Sequence, residues 1–463
     1  MAGLSGLLDI GRDALAAQAF AVNVTGQNIT NVNTPGYVRR EVTLETRTAG
    51  PQPWGSVEAT GIRRMRDQFM DARLFEASGF AAAAGARDDA LGVIEGVFND
   101  FGGTGLGTSL SDMLQSFSAL TANPSDPTTR AAVLAKAQAF VTQVHTAAGT
   151  ISTLRTDLLS RAQGTAAEVN QLVSKIAILD QQIAAQVATG AQPADLQDQQ
   201  GKLVEQLSQL TDVHTFTDGS GRLVIQGSGT TLLEGGQASS MAVSTALDGS
   251  LVISVNHPGG GSDDITQRLQ GGQLAGIRQA RDVDAVQIAD NLDQLVFDVA
   301  TAINTQHAAG YGLDAQNGRV LFALSGPPGT AATIEIAQAM QGHPERLAAS
   351  DTAANLPGGT GNALKLASLA SAPIASGGTR TAIQAYSDIV GDVGMRKAAA
   401  AQESEIREAM KAQVTTMRDS VSGVSIDEEM VSLSKYQRAY EAASKLIRTA
   451  DELIAGLIQE LGR

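Results

Sequence analysis

Apolar residues recur every seven positions at the start of the chain. Leu8, Leu15, Val22 and Ile29 form one row, and Leu4 and Gly11 fill the alternate positions of the same stripe. This pattern predicts a helix with a narrow apolar seam from about residue 4 to 31. An ordinary amphipathic core helix has similar spacing, and periodicity leaves both open. The far end repeats the pattern. Leu433, Tyr440, Ile447, Ile454 and Leu461 lie seven apart, beside a row of Tyr436, Ala443, Ala450 and Leu457. Ser425 and Glu428 have capping-box spacing, and Asp427, Glu428 and Glu429 suit the positive end of a helix. A helix over 426–461 would be roughly 54 Å long. Met410, Met417 and Val424, with Val414 and Val421, mark another amphipathic helix, and Gly423 separates the two. Neither end can bury its stripe alone, so each must pair with the other or with further copies of the chain. Paired ends imply nested domains.

Between the ends the pattern changes several times. Asn31-Val32-Asn33-Thr34-Pro35-Gly36-Tyr37 stops the first helix, and Pro-Gly fits the middle of a type II turn. Val38 to Thr48 alternates β-branched and charged residues like an exposed strand, and Pro51, Pro53 and Gly55 break the chain again. Residues 68–210 carry helical periodicity, with one stripe at Leu172, Ile176, Leu179, Ile183 and Val187. Gly190 and Pro193 turn the chain, and Leu196, Leu203, Leu207 and Leu210 return antiparallel. Residues 212–272 hold 12 of the 49 glycines. There Arg222–Gln226, Met241–Thr245 and Leu251–Val255 read as strands, and Asp218-Gly219 and Asp248-Gly249 as hairpin turns. Helical pattern resumes through Val283, Ile288, Leu292, Leu295 and Val299. Asn317-Gly318 signals another hairpin with Val320–Leu324 as one arm, and residues 350–380 read as loop with short helical pieces.

The predicted fold is mainly α with an inserted β domain. Residues 1–66 and 424–463 form a terminal helical unit with paired, coiled-coil-like helices. Residues 67–211 and 271–423 form a mainly helical middle domain. Residues 212–270 form a small β domain, expected to be removable without harm to the helices.

Charge and composition narrow the function. The net charge is −15, yet residues 1–66 sum to +2 and residues 424–463 to −2, so the excess lies between them. Such a chain repels phosphates, which argues against nucleic-acid binding. Absence of Cys excludes disulfides, thiolate metal sites and Cys nucleophiles. The N-terminus lacks the pattern of a cleavable signal, and no apolar run is long enough for a membrane helix. The five His stand at least 36 residues apart, so no short metal-ligand pair exists. No nucleophile elbow or phosphate-binding loop is present, and Gly103-Thr104-Gly105-Leu106-Gly107 reads as a flexible loop. No cofactor, metal or catalytic residue is expected. Arg39, Arg40, Arg63, Arg64 and Arg66 concentrate positive charge. They suit either contact with acidic surfaces of neighbouring subunits or a solvated strand face.

Several segments together resemble flagellar axial proteins. Asn28-Ile29-Thr30-Asn31-Val32-Asn33-Thr34-Pro35-Gly36-Tyr37 is similar to the signature of rod, hook and hook-associated proteins. Arg418 to Glu429, Tyr436-Gln437-Arg438-Ala439-Tyr440, Gly271 to Gly276 and Asn304-Thr305-Gln306-His307 resemble the hook-associated protein 1 family. The resemblance implies a structural, non-enzymatic subunit, exported uncleaved by the flagellar type III system to the extracellular flagellum. Such a subunit polymerises at the hook tip between hook protein and the adjacent junction protein. The resemblance also implies an export chaperone on the helix from about Leu433 to Leu461. Two alternatives remain at this point: hook protein itself, with more β structure, and a secreted enzyme with a pocket of clustered His and carboxylates.

Overall fold

The computed structural model describes residues 2–47, 55–100 and 103–461, with the side chains of 2–5 and 461 outside the description. Expectations that rest on Leu4 and Leu461 as side chains, or on Thr48, Pro51 and Pro53, therefore fall outside it.

In chain order, α1 (Ala2–Thr30) leads into a hairpin of β1 (Arg40–Arg47) and β2 (Ser56–Arg64). Four helices follow: α2 (Gln68–Val97), α3 (Leu106–Ala122), α4 (Pro127–Ala188) and α5 (Ala194–Leu210). The β segment contains β3 (His214–Thr217), β4 (Leu223–Gly227), β5 (Thr230–Glu234), β6 (Gln237–Ala238), β7 (Ser240–Thr245), β8 (Leu251–Asn256) and β9 (Ser262–Asp264). Helix α6 (Gly272–Gln279) continues through a π-turn at Ala280–Asp284 into α7 (Ala285–Ala308). A largely irregular stretch holds β10 (Phe322–Ala323), α8 (Thr330–Thr333), β11 (Glu335–Ile336) and α9 (Gly361–Ser368). Two long helices, α10 (Ala382–Ser422) and α11 (Ile426–Leu461), complete the described chain.

Local chemistry explains the main boundaries. The Asp67 carboxylate accepts the amides of Phe69 and Met70 at the start of α2. Asp126 does the same for Thr128 and Thr129, with Pro127 at the first turn of α4, where its missing N–H costs nothing. At 62 residues α4 spans about 92 Å and is the axis of the body. Of the expected stripe, Leu172 and Ile176 are buried, beside Val173, Ala177 and Asp180; Leu179 and Ile183 are half-buried and Val187 is exposed. The expected stripe thus runs off the core at its C-terminal end.

Two departures concern glycine. Gly103 to Gly107 is a helix start rather than a free loop: α3 begins at Leu106, and the Gly107 amide donates to Asp100 at 3.1 Å. Asn317-Gly318 makes no hairpin. The Gly318 amide returns to Ala308 at 3.0 Å, and β10 pairs instead with β11. Asn304 overrides the local turn signal by accepting the amides of Leu321 and Phe322, both at 2.8 Å.

The strands form a four-stranded sheet β3-β4-β5-β6 and a three-stranded sheet β7-β8-β9, all antiparallel. Their inner residues, Ile225, Leu233, Ile253 and Val255 among them, share one hydrophobic cluster with the helices α2 to α10. Asn170 of α4 exchanges both backbone hydrogen bonds with Met241, at 2.6 and 2.8 Å. Asp180 of α4 binds Arg222 at 2.7 Å. The inserted β segment therefore packs its inner face into the core of the body.

A second, separate cluster lies at the chain ends. Ala21, Val24 and Val42 are buried, with Ala59, Ile62 and Tyr436 packed on them. Among the described residues, helices α1 and α11 and the β1–β2 hairpin pack extensively only on one another.

Candidate functional site: the paired ends and their clasp

Helices α1 and α11 run antiparallel, since Gly11 meets Ile447 at one end and Asn28 meets Glu429 at the other. Fully buried positions on α1 are Gly11, Ala17, Ala21, Val24, Thr25 and Asn28. Leu8, Leu15, Val22 and Ile29, the expected seam, are only half-buried. Small residues take the centre because the helices approach closely: a Cβ on Gly11 would lie 2.6 Å from Ile447 Cγ1. The larger residues flank the contact. On α11, Glu429, Ala443 and Ala450 are buried, and Leu433, Tyr436, Ile447 and Ile454 half-buried, whereas Tyr440 is exposed. Along the expected row Leu433, Ile447 and Ile454 are half-buried and Tyr440 is exposed, with Ile447 against Gly11 of α1. Of Leu461 only the backbone is described. Beyond the pair, Leu7, Phe20, Met430, Val431, Leu446, Leu453, Leu457 and Ile458 remain exposed.

The signature turn is built as expected. Tyr37 N–H donates to Thr34 carbonyl at 3.1 Å, with Pro35-Gly36 between them and Gly36 at φ +82°. Thr34 Oγ1 donates to Asn31 Oδ1, and Asn31 Nδ2 to Gln27 carbonyl. Asn33 is exposed. The turn aims Tyr37 back at Asn28, whose Oδ1 accepts Tyr37 OH at 2.8 Å and Arg40 N–H at 3.1 Å. Asn28 Nδ2 donates to Arg40 carbonyl at 2.8 Å and Glu429 Oε2 at 2.9 Å. Burial pushes the Tyr37 phenol up from its ordinary range.

Arginines surround this hub. Arg39 Nε meets Glu429 at 2.8 Å and its Nη1 meets Glu428 at 2.7 Å. Arg40 lies over the Tyr37 ring at 4.8 Å and binds Asp195 at 2.5 Å and Asp198 at 2.8 Å. Arg64 also binds Asp198, through Nε at 2.9 Å, and Arg66 binds Asp71. Arg39, Arg40, Arg64 and Arg66 are thus each paired with carboxylates of the same chain. Only Arg63 suits the solvated reading, in an exposed pair with Glu41. At the predicted cap, Ser425 and Glu428 have other contacts. Ser425 starts α11 through its carbonyl, which accepts Glu429 N–H at 3.0 Å, while the Glu428 carboxylate turns to Arg39. Sequence reading placed Asn28 in the signature but missed its pairing with Glu429, a contact across 401 positions. It also missed Asp195 and Asp198, which no local spacing marks.

The other family-like motifs organise backbone. His307 Nδ1–H donates to Arg319 carbonyl at 2.7 Å, and its Nε2 accepts Ala348 N–H at 3.0 Å, which fixes a neutral tautomer. Burial lowers its pKa. Gln306 Nε2 donates to Asn362 Oδ1 at 2.6 Å. Gly272 has φ +79° against Thr211, and Gly276 lies against the Ala83 carbonyl of α2, where a Cβ would not fit. Among the described residues no group of three or more His, Cys, Asp or Glu could hold a metal. No described helix is long and apolar enough to cross a membrane.

These features meet known proteins at matching places. The flagellar hook-associated protein FlgK helical domain matches residues 91–322, half of the chain. The chain belongs to the flagellar hook-associated protein FlgK family. A basal body rod protein family matches residues 8–37, covering most of α1 and its turn, and a rod-type C-terminal family matches residues 419–460, largely α11. Flagellar hook-associated protein 1 of Bacillus subtilis is 26% identical over 98% of both chains. Its Escherichia coli counterpart is 24% identical, over 98% of this chain and all of that one. The flagellar hook junction protein FlgK of Burkholderia pseudomallei shares the fold, at TM-score 0.67 and 16% identity, over 77% of this chain and all of that one. The helical-domain match separates this FlgK-family chain from hook protein.

Proposed function

We propose that the chain is a structural subunit that polymerises at the tip of the bacterial flagellar hook and joins hook to filament. The observation that carries this reading is the apolar surface left on the paired ends. Phe20 on α1 and Tyr440, Leu446, Leu453 and Ile458 on α11 stay exposed after the two helices have covered each other. Large apolar residues along one helix pair mark an interaction surface. Neighbouring copies cover it in the assembled tube, with α1 and α11 as the inner layer. Hook protein lies below, and the adjacent hook-associated junction protein above. Before assembly an export chaperone covers α11 between Leu433 and Leu461. The chain leaves the cell uncleaved through the flagellar type III system, catalyses nothing, binds no nucleic acid and inserts in no membrane.

Gene deletion in the source bacterium, followed by electron microscopy and assay of flagellin in the medium, tests the role. Hooks without filaments, with flagellin lost to the medium, are expected. The wild-type gene should restore filaments and Tyr440→Asp should not, because that side chain stays exposed beside the helix pair. Intact filaments after deletion would overturn the role, and missing hooks would point to a rod or hook component.

A further inference from the structure

We propose that His307 is a proton-gated brace: its neutral ring ties two backbone turns of the irregular stretch to the end of α7, and taking up a second ring proton releases one of them. The ring is fully buried in the last turn of α7. Nδ1–H donates to the Arg319 carbonyl at 2.7 Å, and Nε2 accepts the Ala348 amide at 3.0 Å. Both turns are tied in further places. The Gly318 amide returns to Ala308, Tyr311 pairs with Ser350, and Asn362 Nδ2 donates to the Ala348 carbonyl at 2.7 Å. Of these bonds, only that from the Ala348 amide depends on a lone pair that a proton can occupy. A proton on Nε2 sets two N–H groups against each other, and both then lack an acceptor in a buried site.

The surroundings decide how the ring responds. His214, His257 and His343 each stand beside a carboxylate, at 3.7, 3.1 and 2.8 Å, so a proton there meets a counter-charge. Among the described residues His307 has no such neighbour. The charges nearest to it are guanidinium groups. Arg319 lies in the irregular stretch with Asp314 as its partner. Arg130 reaches in from α4, fully buried and bonded to the carbonyls of Pro344 at 3.3 Å and Leu347 at 2.6 Å. Burial chiefly, helped by these two cations, disfavours the charged ring, and only the Arg319 carbonyl works the other way. Asp314, bonded by Arg319, and Glu345, bonded by a backbone amide, are held below the ordinary carboxylate range and stay ionised when the pH falls moderately. His145 of α4 also faces the stretch, but its Nε2–H donates to the Ile334 carbonyl at 2.8 Å, a bond that survives charging of the ring. A released histidine charges near about pH 6.5, and the buried His307 ring only at lower pH. Opening therefore takes up a proton below that value. The brace is at full strength above about pH 6.5 and weakens as the pH falls, with opening favoured up to about tenfold more for each pH unit.

Hydrogen exchange of the full chain, read by mass spectrometry and corrected for intrinsic rates, tests the brace between about pH 7.5 and about pH 5. Peptides carrying Tyr311 and Ala348 should open about tenfold more on acidification, while peptides from the middle of α4 hold. His307→Gln keeps an acceptor for the Ala348 amide and a donor for the Arg319 carbonyl but cannot titrate, so its response should be flat. His343→Gln should respond like the parent. An equal response in His307→Gln, a flat one in His343→Gln, or none in the parent would overturn the brace. Should His307→Gln fail to fold, magnetic resonance of the ring nitrogens in the parent decides. A His307 ring already charged at neutral pH with the Ala348 amide protected refutes the proposal, and a neutral ring that charges in step with opening supports it.

Discussion

Asn28 uses every hydrogen-bonding position of its amide. Both Nδ2 protons and both Oδ1 lone pairs are engaged, and the partners come from the turn, from β1 and from α11. Asn28→Asp keeps the shape but loses both donors and sets a carboxylate against buried Glu429. Like charges in a buried site and two lost bonds should cost about 2–4 kcal/mol. Hydrogen exchange should report the loss as faster exchange in α1 and β1, with the amides of α4 unchanged. The turn itself was legible in the sequence, because Thr-Pro-Gly-Tyr carries its own dihedral demands at Pro35 and Gly36. The partner Glu429 was not. Nothing near Glu429 in the chain distinguishes it from Asp427 or Glu428, and only the approach of α11 to α1 decides which carboxylate is buried.

Helix periodicity was read well where helices are long, as for α1, α11 and the return of α5 on α4. Periodicity names an apolar face without saying which residues sit at its centre. On α1 the centre went to Gly11, Ala17 and Ala21, since close approach favours small side chains and pushes Leu8, Leu15 and Val22 to the sides. Strands β4, β7 and β8 of the β segment were also legible from alternation and Asp-Gly turns, whereas β3, β5, β6 and β9 were not. The attachment of the segment was not legible either, because Asn170 and Asp180 lie on a helical stripe with no mark of their bonds to Met241 and Arg222. Deleting residues 215–268 would uncover the α4 face around Val169, Val173 and Ile176. The expected outcome is a lower melting temperature of the whole body and binding of an apolar dye, both measurable on the purified deletion. A body that melts as in the full chain would support the removable-insert view.

At the level of the molecule, two cores joined by charge should melt separately. The smaller cluster at the ends has three buried apolar residues, while the body cluster runs from α2 to α10. Below a certain size a hydrophobic core is marginal, so the end unit should be lost first. Calorimetry on the full chain should resolve two transitions, the first removing α1 and α11 and the second the body. A single transition followed alike by labels on α4 and α11 would contradict this.

The bond between Asn28 and Glu429 has a temporal side. Because 401 positions separate them, almost the entire polypeptide must exist before α1 can meet α11. A ribosome delivers residues from the N-terminus onward, so the first helix made waits longest for its mate. Contacts this distant in sequence also form slowly, since the closure of so long a loop precedes any gain. The ends are thus the last part of a nascent chain to mature, and the part open longest to whatever the cell supplies to guard them.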